Sequence, residues 1–135
     1  MSLPRATDGL AEAVQAANNN PITGLPKHGA VLTNGVVSFV GLNSRERHPL
    51  QDKFKKHEQA IHLHAEIASI AAAVEAGHTD LSTFSLYVAR VYRDSPKSPA
   101  KGAQRLHGAW TGPSKPCAGC CGAIAAFNLK EVFHT

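Results

Sequence analysis

His64-Ala65-Glu66 and, further along, Pro116-Cys117-Ala118-Gly119-Cys120 constrain this chain more than any other segments in it. One histidine and two thiols form the donor set of a tetrahedral zinc-type site, so a fold that uses them together must bring residue 64 against residues 117 and 120. Three protein ligands leave one coordination position open, which marks a catalytic rather than a structural centre. Glu66 is then a carboxylate beside the metal that need not bind it.

Local geometry supports the grouping. Cys117 and Cys120 stand at i and i+3, so both sulfurs reach one face of a helix's first turn. The positive end of a helix dipole favours the thiolate that binds metal. His64 and Glu66 lie about 200° apart on a regular helix and converge only if His64 sits at the helix start, free to swing across its end. Ile67, Ile70, Ala71 and Val74 fall at helical spacing from that point, and Gly77 is placed as a C-terminal cap, which predicts a helix over 64–76. Cys121 also lies i+4 from Cys117, so spacing alone leaves open which of Cys120 and Cys121 is the ligand.

The rest of the pattern predicts a helix over 7–18 ended by Asn18-Asn19-Asn20-Pro21, then a β-hairpin within 29–43. Its turn is placed at Asn34-Gly35, with Val31-Leu32 on the first strand and Val36 to Val40 on the second. Residues 42–59 read as a loop, or a loop with a short helix. Leu81 to Tyr92 reads as a central strand covered on both faces. Residues 93–116 read as a basic loop, 117–127 as a helix entered at Pro116 and capped by Asn128, and 131–133 as a last short strand. The expected fold is α/β: a three-layer α/β/α sandwich around a mixed central sheet, one domain spanning 1–135.

The 135 residues suffice for a core without disulfide staples, and three cysteines grouped at 117, 120 and 121 suggest thiols kept reduced in the cytoplasm. No apolar run approaches the ~18 residues of a membrane span, and the first residues lack the apolar region of a secretory signal. The net charge is +4. Arg93, Lys97, Lys101, Arg105 and Lys115 against Asp94 alone give residues 93–116 a surplus as large as the whole chain's. That stretch is either a solvated loop or a lid that faces phosphate. Its Trp110 and His107 either cover a bound base or pack the loop down.

H-x-E followed by P-C-x-x-C is the signature of zinc-dependent nucleobase deaminases. Bound zinc lowers the pKa of its water toward about 7, Glu66 accepts the proton and returns it to the ring and the leaving amine, and the resulting hydroxide attacks an amidine-like ring carbon. Three other readings compete. CAGC alone also suits a thioredoxin-like redox pair, which leaves His64 and Glu66 idle. A structural zinc site needs a fourth ligand, for which His62, His107 or Cys121 is available. A zinc-stabilised binding module needs no carboxylate at 66.

These residues resemble the cytidine deaminase superfamily, closest to its small phage-type deoxycytidylate deaminases. His64-Ala65-Glu66-Ile67, Pro116 to Cys120, and Ala123-Ile124 with Leu129-Lys130-Glu131-Val132 carry the likeness, joined by Val40-Gly41-Leu42-Asn43 and Asn43-Ser44-Arg45-Glu46-Arg47-His48-Pro49-Leu50. The resemblance implies His64, Cys117 and Cys120 on Zn2+ and Glu66 as proton shuttle. It further implies Asn43 on the sugar (or as a turn residue closing a strand) and the Ala65 backbone on the pyrimidine. Ser44 falls in the same substrate-facing loop, with Arg45, Arg47 and Lys115 as candidates for a 5′-phosphate. The expected substrate is a cytosine nucleotide, dCMP giving dUMP and ammonia, handled by a homo-oligomer away from membranes. The alternative is a deaminase acting on nucleic acid, either single-stranded DNA cytosine or tRNA adenosine.

Overall fold

The computed structural model describes residues 6–55, 62–92, 103–106 and 108–135, with the backbone alone for 6–8. Along the chain run α1 (Ala6–Asn18), β1 (Lys27–Thr33), β2 (Ser38–Leu42), α2 (Pro49–Phe54), α3 (Ala65–Glu75), β3 (Ser85–Val91), β4 (Gln104–Leu106), β5 (Ala109–Gly112), α4 (Ala118–Ala126) and β6 (Glu131–His134). The strands form one sheet in the order β2-β1-β3-β5-β4, with β6 also beside β3. β6 runs parallel to β3 and the remaining pairs are antiparallel, so the sheet is mixed as expected. One edge of β3 pairs with β1. The other is divided between β6, along Ser85–Val88, and β5, along Arg90–Val91.

Strand alternation sends neighbouring residues into two cores. Ala30, Leu32, Leu86 and Val88 pack with Ile67, Ile70, Cys120 and Ala123 beneath α3 and α4. Val31, Tyr87, Ala89 and Val91 pack with Ala13, Val14 and Ala17 of α1 on the opposite face. That is the three-layer sandwich. The α3 layer lies so close to the sheet that a Cβ on Gly41 would run into backbone atoms of Ala65, Ala68 and Ser69. A glycine in β2 thus sets where α3 begins.

Both site helices end in the same way. Gly77 (φ 97) and Asn128 (φ 56) adopt the left-handed conformation. His78 N–H bonds to Ala73 O and Leu129 N–H to Ile124 O, each closing a Schellman motif.

Two expectations are corrected, the hairpin turn and the basic loop, and of the two readings of 42–59 the one with a short helix holds. The Asn34-Gly35 turn exists, but Thr33 pairs with Ser38 and the loop spans four residues. Asn34 Oδ1 accepts from Val36 N–H and Val37 N–H at 2.9 Å each, which holds both valines in the turn and leaves Val36 exposed. Between 42 and 59 lies α2, capped by His48 Nδ1, which accepts from Leu50 N–H at 3.1 Å, with Pro49 in the first helical turn. The basic stretch 93–116 is not simply a loop, because it contains the β4–β5 hairpin. Arg93, Asp94, Lys97, Lys101 and His107 lie outside the described residues.

Candidate metal centre and active site

His64 and Cys117 are the N-cap residues of α3 and α4, both in extended backbone, and neither side chain caps its own helix. The two side chains turn toward each other instead. His64 Nδ1 lies 3.5 Å from Cys117 Sγ and 3.4 Å from Cys120 Sγ. The three donor atoms fall within 4.8 Å of one another, a spacing on which a single ion can be held. Cys121 faces elsewhere. Its Sγ contacts Pro116 O at 3.5 Å, and it lines a separate groove with Ile124, Leu129 and Val132. The choice that spacing left open between Cys120 and Cys121 thus goes to Cys120 by position.

The donor set also fits a cation electrostatically. Hydrogen bonds from Cys120 and then His64 hold the Cys117 thiol down at about 3, so it is a thiolate at neutral pH. Its bond to Cys117, burial and the nearby Glu66 carboxylate all push the Cys120 thiol up. His64 is raised, first by its bond to Cys117. Two thiols and an imidazole are donors that bind a dication by giving up protons. Glu66 stands just inside the start of α3, only 6% exposed, and desolvation raises its carboxyl above the usual range. Burial beside a cluster of charged donors is the environment that tunes a carboxylate for acid–base work.

A cavity of about 280 Å³ opens onto this cluster, with Asn43, Ser44, Ala65, Glu66, Lys115 and the donors His64 and Cys117 among its lining residues. Of the substrate contacts expected from sequence, Asn43, Ser44, Ala65 and Lys115 all reach it. Arg47 does not; it is exposed and pairs with Asp52 at 3.3 Å. Arg45 bonds Thr23 O instead. Trp110 lies on β5 with the Arg105 guanidinium over its ring and is absent from the cavity wall.

Asn43 is already heavily bonded. Its Oδ1 accepts from Asn20 Nδ2 (2.7 Å) and His28 N–H (2.9 Å), and its Nδ2 donates to Pro26 O (2.7 Å). It therefore fixes the cavity wall, and one amide hydrogen remains for a ligand. Two supporting residues had escaped the sequence reading. Asn20, 2% exposed, orients Asn43; Gln51, 1% exposed, accepts from His64 N–H at 3.0 Å and anchors the histidine. Asn20 looked like a helix terminator, and a buried glutamine on a six-residue helix leaves no periodic signal.

The sequence model of the cytidine and deoxycytidylate deaminase zinc-binding region matches residues 5–135. The chain belongs to that family. As a member it is a hydrolytic deaminase of a zinc-binding family, and the His64, Cys117 and Cys120 cluster is a group that could hold the ion. Among solved structures, the cytidine deaminase from Burkholderia pseudomallei is similar, at a TM-score of 0.55 and 22% identity over 88% of this chain and 74% of that one. Likeness at that identity establishes a shared fold. A search of curated proteins finds no match. Among the described residues no helix is long and apolar enough to cross a membrane.

Proposed function

We propose that the deaminase hydrolyses the exocyclic amine of a free cytosine nucleotide, dCMP to dUMP with release of ammonia. The observation that carries this reading is the cavity of about 280 Å³, whose lining brings Lys115 together with Glu66 and the donors His64 and Cys117. It is close to the lower size of small-molecule pockets, about 300 Å³.

His64, Cys117 and Cys120 hold the zinc, whose chemistry is to acidify a coordinated water. Glu66 takes a proton from the attacking water and delivers it to the ring nitrogen next to C4. As the C4–O bond forms and the C4–N bond breaks, Glu66 passes the second proton to the amine, which leaves as ammonia. Its raised affinity for protons suits both transfers. Gln51 holds the His64 backbone so that the imidazole keeps its place. The Ala65 backbone would meet the pyrimidine and the remaining Asn43 amide hydrogen the sugar, a reading supported by their place, with Ser44, in the cavity lining.

Turnover of dCMP, deoxycytidine and a cytosine-bearing single-stranded oligonucleotide by the zinc-loaded protein tests the assignment. The expected order in kcat/KM is dCMP first. An oligonucleotide turned over faster than dCMP makes the protein a nucleic-acid deaminase instead.

A further inference from the structure

His28 and Arg90 are Cα partners across β1 and β3. Alternation places His28 on the face of Ala30 and Leu32, and Arg90 on that of Leu86 and Val88. These four side chains belong to the core beneath α3, so both residues stand on the catalytic face of the sheet. His28 lines the cavity, as do Ser114 and Lys115. Ser114 joins that wall to Arg90's own strand. Its hydroxyl donates to Val88 O at 2.9 Å and lies 2.8 Å from Thr135 Oγ1, which accepts from Arg90 N–H at 3.2 Å.

One donor of the half-buried Arg90 side chain is unmet within the fold. Its Nε is buried and has no hydrogen-bond partner. No carboxylate among the described residues lies within ion-pair distance of it, and its guanidinium rests over the Tyr92 ring at 5.4 Å. Leaving a charged donor unmet is costly, and a planar guanidinium is shaped to meet a phosphate or carboxylate with two parallel bonds. Among the described residues that line the cavity, Glu66 is the one acidic side chain, and it stands beside the His64, Cys117 and Cys120 cluster. Cationic Arg90 also helps keep His28 neutral, after burial.

Arg90 is not itself among the lining residues but is the cross-strand neighbour of His28, which is; we propose that Arg90, with His28 and Lys115, forms an anion site beside the cavity that recognises the phosphate monoester of a nucleoside monophosphate. This rests on the reading of the protein as a nucleotide deaminase, and it moves the phosphate contact from Arg45 and Arg47 to a strand of the central sheet. A monoester is favoured over a nucleic-acid backbone because the adjoining cavity, about 280 Å³, is of small-molecule size.

Calorimetric titration of the zinc-loaded protein with dUMP and with deoxyuridine tests it without turnover. The wild type binds dUMP more tightly, and Arg90→Met lowers the ratio of the two affinities about 10- to 100-fold, with zinc content and circular dichroism unchanged. Arg90→Lys, which keeps the charge but loses the fork, falls between, and it stands in if the methionine variant does not fold. Equal wild-type affinity for the two ligands overturns the site. So does an equal loss of both in Arg90→Met, the mark of a brace for the fold, or a loss confined to a single-stranded oligonucleotide. A phosphate-dependent preference that vanishes in Arg90→Met, in a protein that deaminates nothing, keeps the site and discards the proposed reaction.

Discussion

At Cys120 and Cys121 two adjacent thiols have opposite surroundings, and the difference is open to a direct measurement. Cys120 is fully buried against His64, whereas Cys121 turns to Pro116 O and a separate groove. Cys121→Ser is expected to retain one zinc per chain, and Cys120→Ser to lose it; elemental analysis after dialysis reads the outcome. Spacing in the sequence cannot make this distinction, because i+3 and i+4 both return to the same helix face, and only the docking of α4 on α3 decides it. Buried partners are equally hidden. Nothing about Asn20 or Gln51 in the sequence announces a hydrogen bond to Asn43 or to His64, since both bonds depend on tertiary placement.

His28 gives the stability curve a sign at the same scale. Burial, then Arg90, lowers its pKa from 6.5, with a smaller contribution from His64 in the same direction and an opposing one from its bond to Pro26. The folded state therefore favours neutral His28, and the stability this supplies is lost as pH falls below about 6.5 toward the folded value. Thermal unfolding of wild type and His28→Gln between pH 8 and pH 5 checks this. The substitution is expected to flatten the decline, and a parallel pair of curves contradicts it.

Among the elements, the N-termini of α3 and α4 do the positioning, and the sequence announces them well. Helical periodicity begins at His64, Pro116 precedes Cys117, and Gly77 and Asn128 stand where the Schellman caps form. The β4–β5 hairpin escaped the sequence because its strands are three and four residues long and carry Arg105 and Gln104, too short and too polar for an alternating pattern to register. Gly41 couples the sheet to the site. Gly41→Ala forces the start of α3 away from β2, and overpacking of this kind costs about 1–3 kcal/mol. Urea denaturation is expected to show that loss together with reduced zinc affinity, because His64 moves with the helix. A stable variant with native affinity shows that β2 does not set the position of His64.

For the whole molecule, alternating strands and amphipathic helices made the layered α/β/α architecture legible, and two short motifs made the chemistry legible. Strand order was not, because β6 and β5 share one edge of β3 and that division is settled by tertiary packing. Substrate size belongs to this scale too. Reading one phosphate involves few counterions, so kcat/KM on dCMP is expected to change little between 50 and 200 mM salt. A fall of about 10³-fold or more indicates a polymer spanning many phosphates.

Ammonia release at fixed zinc occupancy separates the two proposed roles, with His64, Cys117 and Cys120 as metal ligands and Glu66 as the group that moves the protons. With one zinc per chain in each protein, the wild type is expected to release one ammonia for each dUMP formed from dCMP. Glu66→Gln is expected to be slower by about 10²- to 10⁴-fold, the usual contribution of a general acid–base group. No release by the zinc-loaded wild type from dCMP, deoxycytidine or dCTP, or a Glu66→Gln variant as fast as the wild type, contradicts the account.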